Sequence, residues 1–136
     1  MKRKTMRVTG LLCLLCIAIG AAIVYRMYNK PHRSATTEKA VSLTAAQLAD
    51  EYEKDEAAAN KKYLGNAVQV SGKVNEVTLN QQNKSVILLA GATMSGVQCT
   101  MEDKLQPIKK GDSIIIKGFC NGYLNDVIID RAIVSK

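Results

Sequence analysis

The chain has 136 residues, a formal net charge of +7, 47% hydrophobic and 23% charged residues; this excludes wholesale disorder and leaves room for one compact domain plus a tail or anchor. The charge is unevenly placed: seven of the 19 basic residues and none of the 12 acidic ones precede Ser34, so the rest carries 12 of each sign. A formally neutral body argues against a broad nucleic-acid-binding surface.

The N-terminus opens with Lys2, Arg3, Lys4 and Arg7, and then runs from Val8 to Tyr25 for eighteen residues without a charge. That is near the lower end of the roughly 17–25 residues that span a bilayer core. Tyr25 and Tyr28 stand where interfacial aromatics belong, and Arg26, Lys30 and Arg33 follow. Four preceding cations against three following ones favour a cytoplasmic N-terminus. Residues 1–29 are therefore expected to be a cytoplasmic stub and transmembrane anchor, meeting the membrane through residues 8–25. A cleaved signal peptide is the alternative. Ala18 and Gly20 satisfy a small-x-small rule, but the apolar run continues past them. A lipoprotein signal fits poorly, because Leu12 and Leu15 precede Cys13 and Cys16 where a small residue belongs. "CLLC" has redox-motif spacing, yet bilayer hydrocarbon denies a thiol the accessibility and electropositive setting it needs.

Residues 30–42 are polar and small, and read as a tether. Residues 43–136 form the predicted domain. "TAAQ" (Thr44–Gln47) has capping-box form, and Leu48, Tyr52, Ala59 and Tyr63 make an apolar stripe ending near Gly65, so a single helix is expected. The period then becomes two. Val68, Val70 and Val74 share one parity, whereas Val77 and Leu79 take the other, which requires a β-bulge near Asn75–Glu76. Further strands are expected at 85–91, 96–101, 113–120 and 126–134, separated by turn-rich segments. The fold class is thus mainly β: a five-stranded OB-fold barrel preceded by one α-helix, with an N-terminal transmembrane helix.

Alternation turns Cys99 and Cys120 inward. A disulfide between them would close a loop of about 20 residues and contribute roughly 3 kcal/mol in the chain-entropy model. Two buried free thiols are the alternative. Strands two and four are apolar on both parities, so one apolar row needs cover from the helix or from a partner protein. Ile87, Leu89 and Ile115 are the candidates for such a partner contact.

The segments "ANKKYLGNAVQVSGKVNEV", "VQCTM", "IKKGDSIIIKGFCNG" and "IIDRAIV" resemble the tRNA-anti-like family of small bacterial OB-fold domains. The match rests on Tyr63, Gly65, Val68, Val70, Gly72 and Val74, and on Lys110, Gly111, Asp112, Lys117, Gly118, Cys120 and Gly122. It covers roughly residues 43–135. The resemblance implies an OB-fold, commonly behind a signal peptide or membrane anchor. With the N-terminal reading, it gives a single-pass protein of a bacterial inner membrane, N-terminus cytoplasmic and C-terminal domain periplasmic, or else cleaved and exported.

Three function classes compete. Single-stranded nucleic-acid binding needs a basic groove and aromatic platforms. Strands two and three hold no aromatic residue, and Lys109, Lys110 and Lys117 make only a weak basic patch. An enzyme is not expected: the only histidine, His32, lies in the tether, and no metal-ligand spacing or Gly-rich phosphate loop occurs. No cofactor is expected either. The remaining class is a membrane-anchored, non-catalytic binding or scaffolding module, with single-stranded nucleic acid or oligosaccharide as the alternative ligand.

Overall fold

The computed structural model describes residues 2–29, 33–103 and 107–135. The chain divides into two units, Met1–His32 and Arg33–Lys136. The first is one helix, α1 (Lys2–Tyr28), on which Cys13 and Cys16 are exposed free thiols. Among the described residues no helix is long and apolar enough to cross a membrane. The charge-free run begins at Val8, ahead of Leu12, the first side chain described.

The second unit runs β1 (Val41–Thr44), α2 (Ala45–Lys54), α3 (Glu56–Tyr63), β2 (Ala67–Leu79), β3 (Ser85–Leu89), β4 (Val97–Met101), β5 (Ser113–Tyr123) and β6 (Val127–Ser135). Strands β2–β3–β4–β6–β5 close back onto β2, which is the five-stranded barrel of an OB-fold, and β1 joins β2 from outside. The long β2 makes closure feasible. Its first half pairs with β5 and Val74–Leu79 pairs with β3. The register slips between Val74 and Glu76, so Asn75 is the bulged residue, as the change of alternation predicts. A Cβ at the neighbouring Gly72 would come 3.0 Å from Ala45 Cβ and 3.3 Å from Leu89 Cβ. Its bare backbone lets the start of α2 sit directly on the coiled strand.

The predicted single helix is two. Thr44 accepts from the Gln47 amide at 3.1 Å and Gln47 Oε1 accepts from the Thr44 amide at 3.0 Å, completing the capping box of α2. Asp55 then leaves helical geometry (φ −157°, ψ 92°) and caps α3, its Oδ1 accepting from the Ala58 amide at 2.9 Å. A short carboxylate that can satisfy an orphan amide offers the chain an alternative to continuing the helix. The break leaves the stripe intact: Leu48, Tyr52, Ala59 and Tyr63 are all buried against the barrel.

Two expectations are corrected here. Residues 33–42, expected within the tether, belong to the packed unit. Ala35 is fully buried with Ala67 and Phe119, Ala40 and Ile133 pack alongside, and β1 pairs in parallel with β2 from Val41↔Val68 to Thr44↔Ser71. Cys99 and Cys120 reach the core but are free thiols, not a disulfide. Both are in register with Ile129, one on each side of β6. Two strand spacings, roughly 9–10 Å, separate their Cα atoms, against about 4.4–6.8 Å in a disulfide.

Candidate functional site

The side chains expected to meet a partner separate when the barrel closes. Leu89 pairs with Val74 and Ile87 with Cys99, which puts Ile87 and Leu89 on the inward row, fully buried. The outward row of β3 is Val86 and Leu88, each half-buried. The expected three-residue contact surface therefore does not exist. Ile115 alone stays outside, 37% exposed.

Ile115 lies opposite Ser71 of β2 and Ser135 of β6, on the floor of an open groove. One part, of about 560 Å³, is lined by Thr44, Ala46, Ser71, Gly72, Lys73, Ser113 and Ile115, among others. A second part, of about 270 Å³, shares Thr44, Ser71 and Ile115 and adds Ser42, Gln47 and Gln69. The groove thus sets hydroxyls, amides and Lys73 beside an apolar lining of Leu43, Ala46, Ala90, Ile114 and Ile115. Such a surface can hydrogen-bond and exclude water from a small contact. Among the described residues, no cluster of His, Cys, Asp or Glu could hold a metal.

At the other end of the same rows, Phe119 is 4% exposed beneath the strap of residues 33–40. The Arg33 and Arg131 guanidiniums lie over its ring at 5.2 and 4.4 Å from the centroid, within cation–π range. Arg33 Nε donates to Glu38 at 2.9 Å, and this hydrogen bond holds the Glu38 carboxyl below its usual range. Arg131 Nη1 donates to the Arg33 carbonyl at 3.3 Å, and Lys117 Nζ to the Thr36 carbonyl at 3.4 Å. Arg131 has φ +49°, where a side chain costs about 1–2 kcal/mol. The cause is a bulge: Arg131 and Ala132 together oppose Gly118 of β5. A Cβ on Gly118 would come 2.5 Å from Ile129 Cγ2, so only glycine admits this crossing.

The weak basic patch is not one patch. Lys117 sits beside the strap, whereas Lys109 and Lys110 are in the turn before β5, where Gly111 bonds Val74 and Asp112 accepts from the Lys109 amide. Lys73, opposite Ser113, joins that second group. The outer β2–β5 face carries six cations near it (Arg33, Lys73, Lys109, Lys110, Lys117, Arg131) and three carboxylates, Glu38, Asp112 and Asp130. The other nine acidic residues lie elsewhere, those of the helices among Lys54, Lys61 and Lys62. Asp50, Glu51, Glu53, Asp55 and Glu56 are on or between the helices, and Glu76, Glu102, Asp103 and Asp126 flank β3 and β4. The outward residues Val86, Leu88, Gln98 and Thr100 carry neither ring nor cation. The domain is neutral in sum and polarised in space.

The tyrosines are structural. Tyr52 stacks on Tyr123 at 5.7 Å and lies 6.3 Å from Tyr63, and its Oη is 3.2 Å from Cys120 Sγ. Burial and then the Cys120 contact push the Tyr52 hydroxyl well above its ordinary pKa. Tyr63, raised mainly by burial, donates to Glu51 at 3.1 Å. Lys62 also donates to Glu51 and holds that carboxyl low. Burial alone drives the Cys99 thiol far up, so it is inert.

Sequence reasoning missed Arg33, Phe119 and Arg131. One signal was present in "VIIDRAIV": Val127 and Ile129 alternate, and the next buried residue is Ala132, a step of three. That is the same break in parity that exposes the bulge at Asn75. For Arg33 no local signal exists, because its partners are distant in sequence.

The profile of the tRNA_anti-like family matches residues 1–133, taking in the N-terminal segment as well as the barrel. No curated protein sequence matches the chain. Among solved structures, a lipoprotein of Klebsiella pneumoniae subsp. pneumoniae MGH 78578, to which nucleic-acid binding is ascribed, superposes with a TM-score of 0.56 at 14% identity, covering 71% of this chain and 92% of that one. At that identity the likeness is one of fold.

Proposed function

From the premise that the chain belongs to the tRNA_anti-like family, we propose that it is a membrane-anchored, non-catalytic OB-fold module that binds a segment of a partner protein in the Ile115 groove. The anchor is the charge-free run Val8–Tyr25, with four cations before it; it crosses the inner membrane once and leaves the barrel on the periplasmic side. The lipoprotein character of the Klebsiella pneumoniae neighbour agrees with attachment to a membrane, reached there by a lipid and here by an apolar helix.

The observation that carries the binding reading is where the recognition groups lie. Hydroxyls, amides, Lys73 and an apolar strip of Leu43, Ala46, Ala90, Ile114 and the exposed Ile115 line the β1–β2–β5 groove, next to the outer edge of β1, whose Val41 is exposed. The usual OB-fold platform on β3 and β4 has acidic flanks instead. This distribution suits an extended polypeptide laid along a sheet. Nucleic acid, the function ascribed to the neighbour, suits it less. Base stacking needs an exposed ring, while Phe119, Tyr52 and Tyr63 are buried and the half-buried Tyr123 is already stacked on Tyr52.

A photo-crosslinking residue placed at Ile115 or Ser71 in intact cells should trap a protein that the same probe at Thr100, on β4, does not. Adducts from Thr100 alone, or trapped nucleic acid from any of the three positions, would reject the groove as the binding site.

A further inference from the structure

We propose that the Phe119 end of the barrel is a docking surface for anionic phospholipid headgroups. The proposal rests on the anchor reading above. Three cations meet there around one strap: Arg33 within it, Arg131 bonded to the Arg33 carbonyl, and Lys117 bonded to the Thr36 carbonyl. Glu38 is paired with Arg33, while Asp130, whose Oδ1 accepts from the Arg131 backbone amide at 2.9 Å, keeps its negative charge beside the cluster. Among the described residues, neither Arg131 nor Lys117 forms an ion pair. Their donors stay available to phosphate oxygens.

The positive φ of Arg131 fits the same role. A bulge that costs backbone energy turns a guanidinium onto the face where Arg33 already sits, whereas a regular strand would continue the alternation. Arginine clusters recognise phosphate through several donors at once, and basic residues close to a bilayer are drawn to anionic lipid.

The test uses the full chain in lipid nanodiscs of phosphatidylcholine with or without phosphatidylglycerol, read by hydrogen–deuterium exchange. Phosphatidylglycerol should slow exchange several-fold over residues 33–40 and along β5 and β6. Arg131→Asn, which tolerates the positive φ, and Lys117→Gln should each reduce that protection, with unchanged exchange in the core. Equal exchange in both lipids would overturn the proposal, as would protection confined to β3 and β4. So would protection of the strap by an oligonucleotide in neutral discs without any effect of phosphatidylglycerol. A chain that fails to enter the discs would instead overturn the anchor reading, which separates the two failures.

Discussion

Cys99 and Cys120 show how far alternation reaches at the level of single residues. Parity turns both thiols inward, as observed, yet it carries no information on which strands are neighbours. Only the sheet order places Ile129 between them. Both thiols should react with a maleimide only after unfolding, with or without reductant. A Cys99–Cys120 linked peptide in a non-reducing digest, lost with reductant, would contradict the free-thiol assignment. The same buried groups set the alkaline limit. Cys99 and Tyr52 hold their protons more tightly folded than unfolded, so the folded chain carries excess protons at high pH. Their contribution is present below the unfolded values, about 8.5 for cysteine and 10 for tyrosine, and is lost as pH rises beyond them. Urea midpoints should accordingly fall from about pH 9 upward, and Cys99→Ala should flatten that fall. On the acid side Glu38 and Glu51 are held low by the exposed Arg33 and Lys62, and Glu53 by the buried Ser95 hydroxyl, and their support fades below about pH 4. Because screening weakens exposed pairs, that slope should be shallow.

Elements were legible where a local rule governs them. The capping box at Thr44, the stripe from Leu48 to Tyr63 and the bulge at Asn75 follow from composition and spacing, and the structure has all three. What escaped were features made by contacts distant in sequence. The strand β1 exists because Val41 meets Val68, and the strap because Ala35 meets Phe119; neither is announced within its own few residues. The break at Asp55 lay between, since "KDE" in an acidic run conceals a cap. Asp55→Ala should cost about 1 kcal/mol through the lost α3 cap, measured as a shift in denaturant midpoint. The two fates of the expected contact surface give a sharper comparison. Leu89→Ala should destabilise by about 2–5 kcal/mol as a core truncation, while Ile115→Ser should stay within about 0.5 kcal/mol. Near-equal costs would mean that one of the two rows has been assigned to the wrong face.

For the molecule as a whole, net charge was a poor guide. A body with 12 charges of each sign argues against electrostatic partners only if those charges are mixed, and here they are sorted. Cations border the β2–β5 face, and carboxylates gather on the helices and beside β3 and β4. The lipid docking proposed above draws on the cations at the Phe119 end of that face. Raising ionic strength should therefore loosen the strap-side lipid contact, because exposed charges are screened beyond about 8–10 Å, while leaving the denaturant midpoint almost unchanged.

Both the groove partner and the lipid contact proposed above require a barrel that stands outside the cytoplasm on an uncleaved anchor. Spheroplasts treated with protease, followed by alkaline extraction of the membranes, test that claim directly. The account predicts that protease added from outside destroys the Arg33–Lys136 unit, and that an N-terminal fragment resists alkaline extraction. A domain protected until the spheroplasts are lysed, or a chain released in full by alkali, would contradict it.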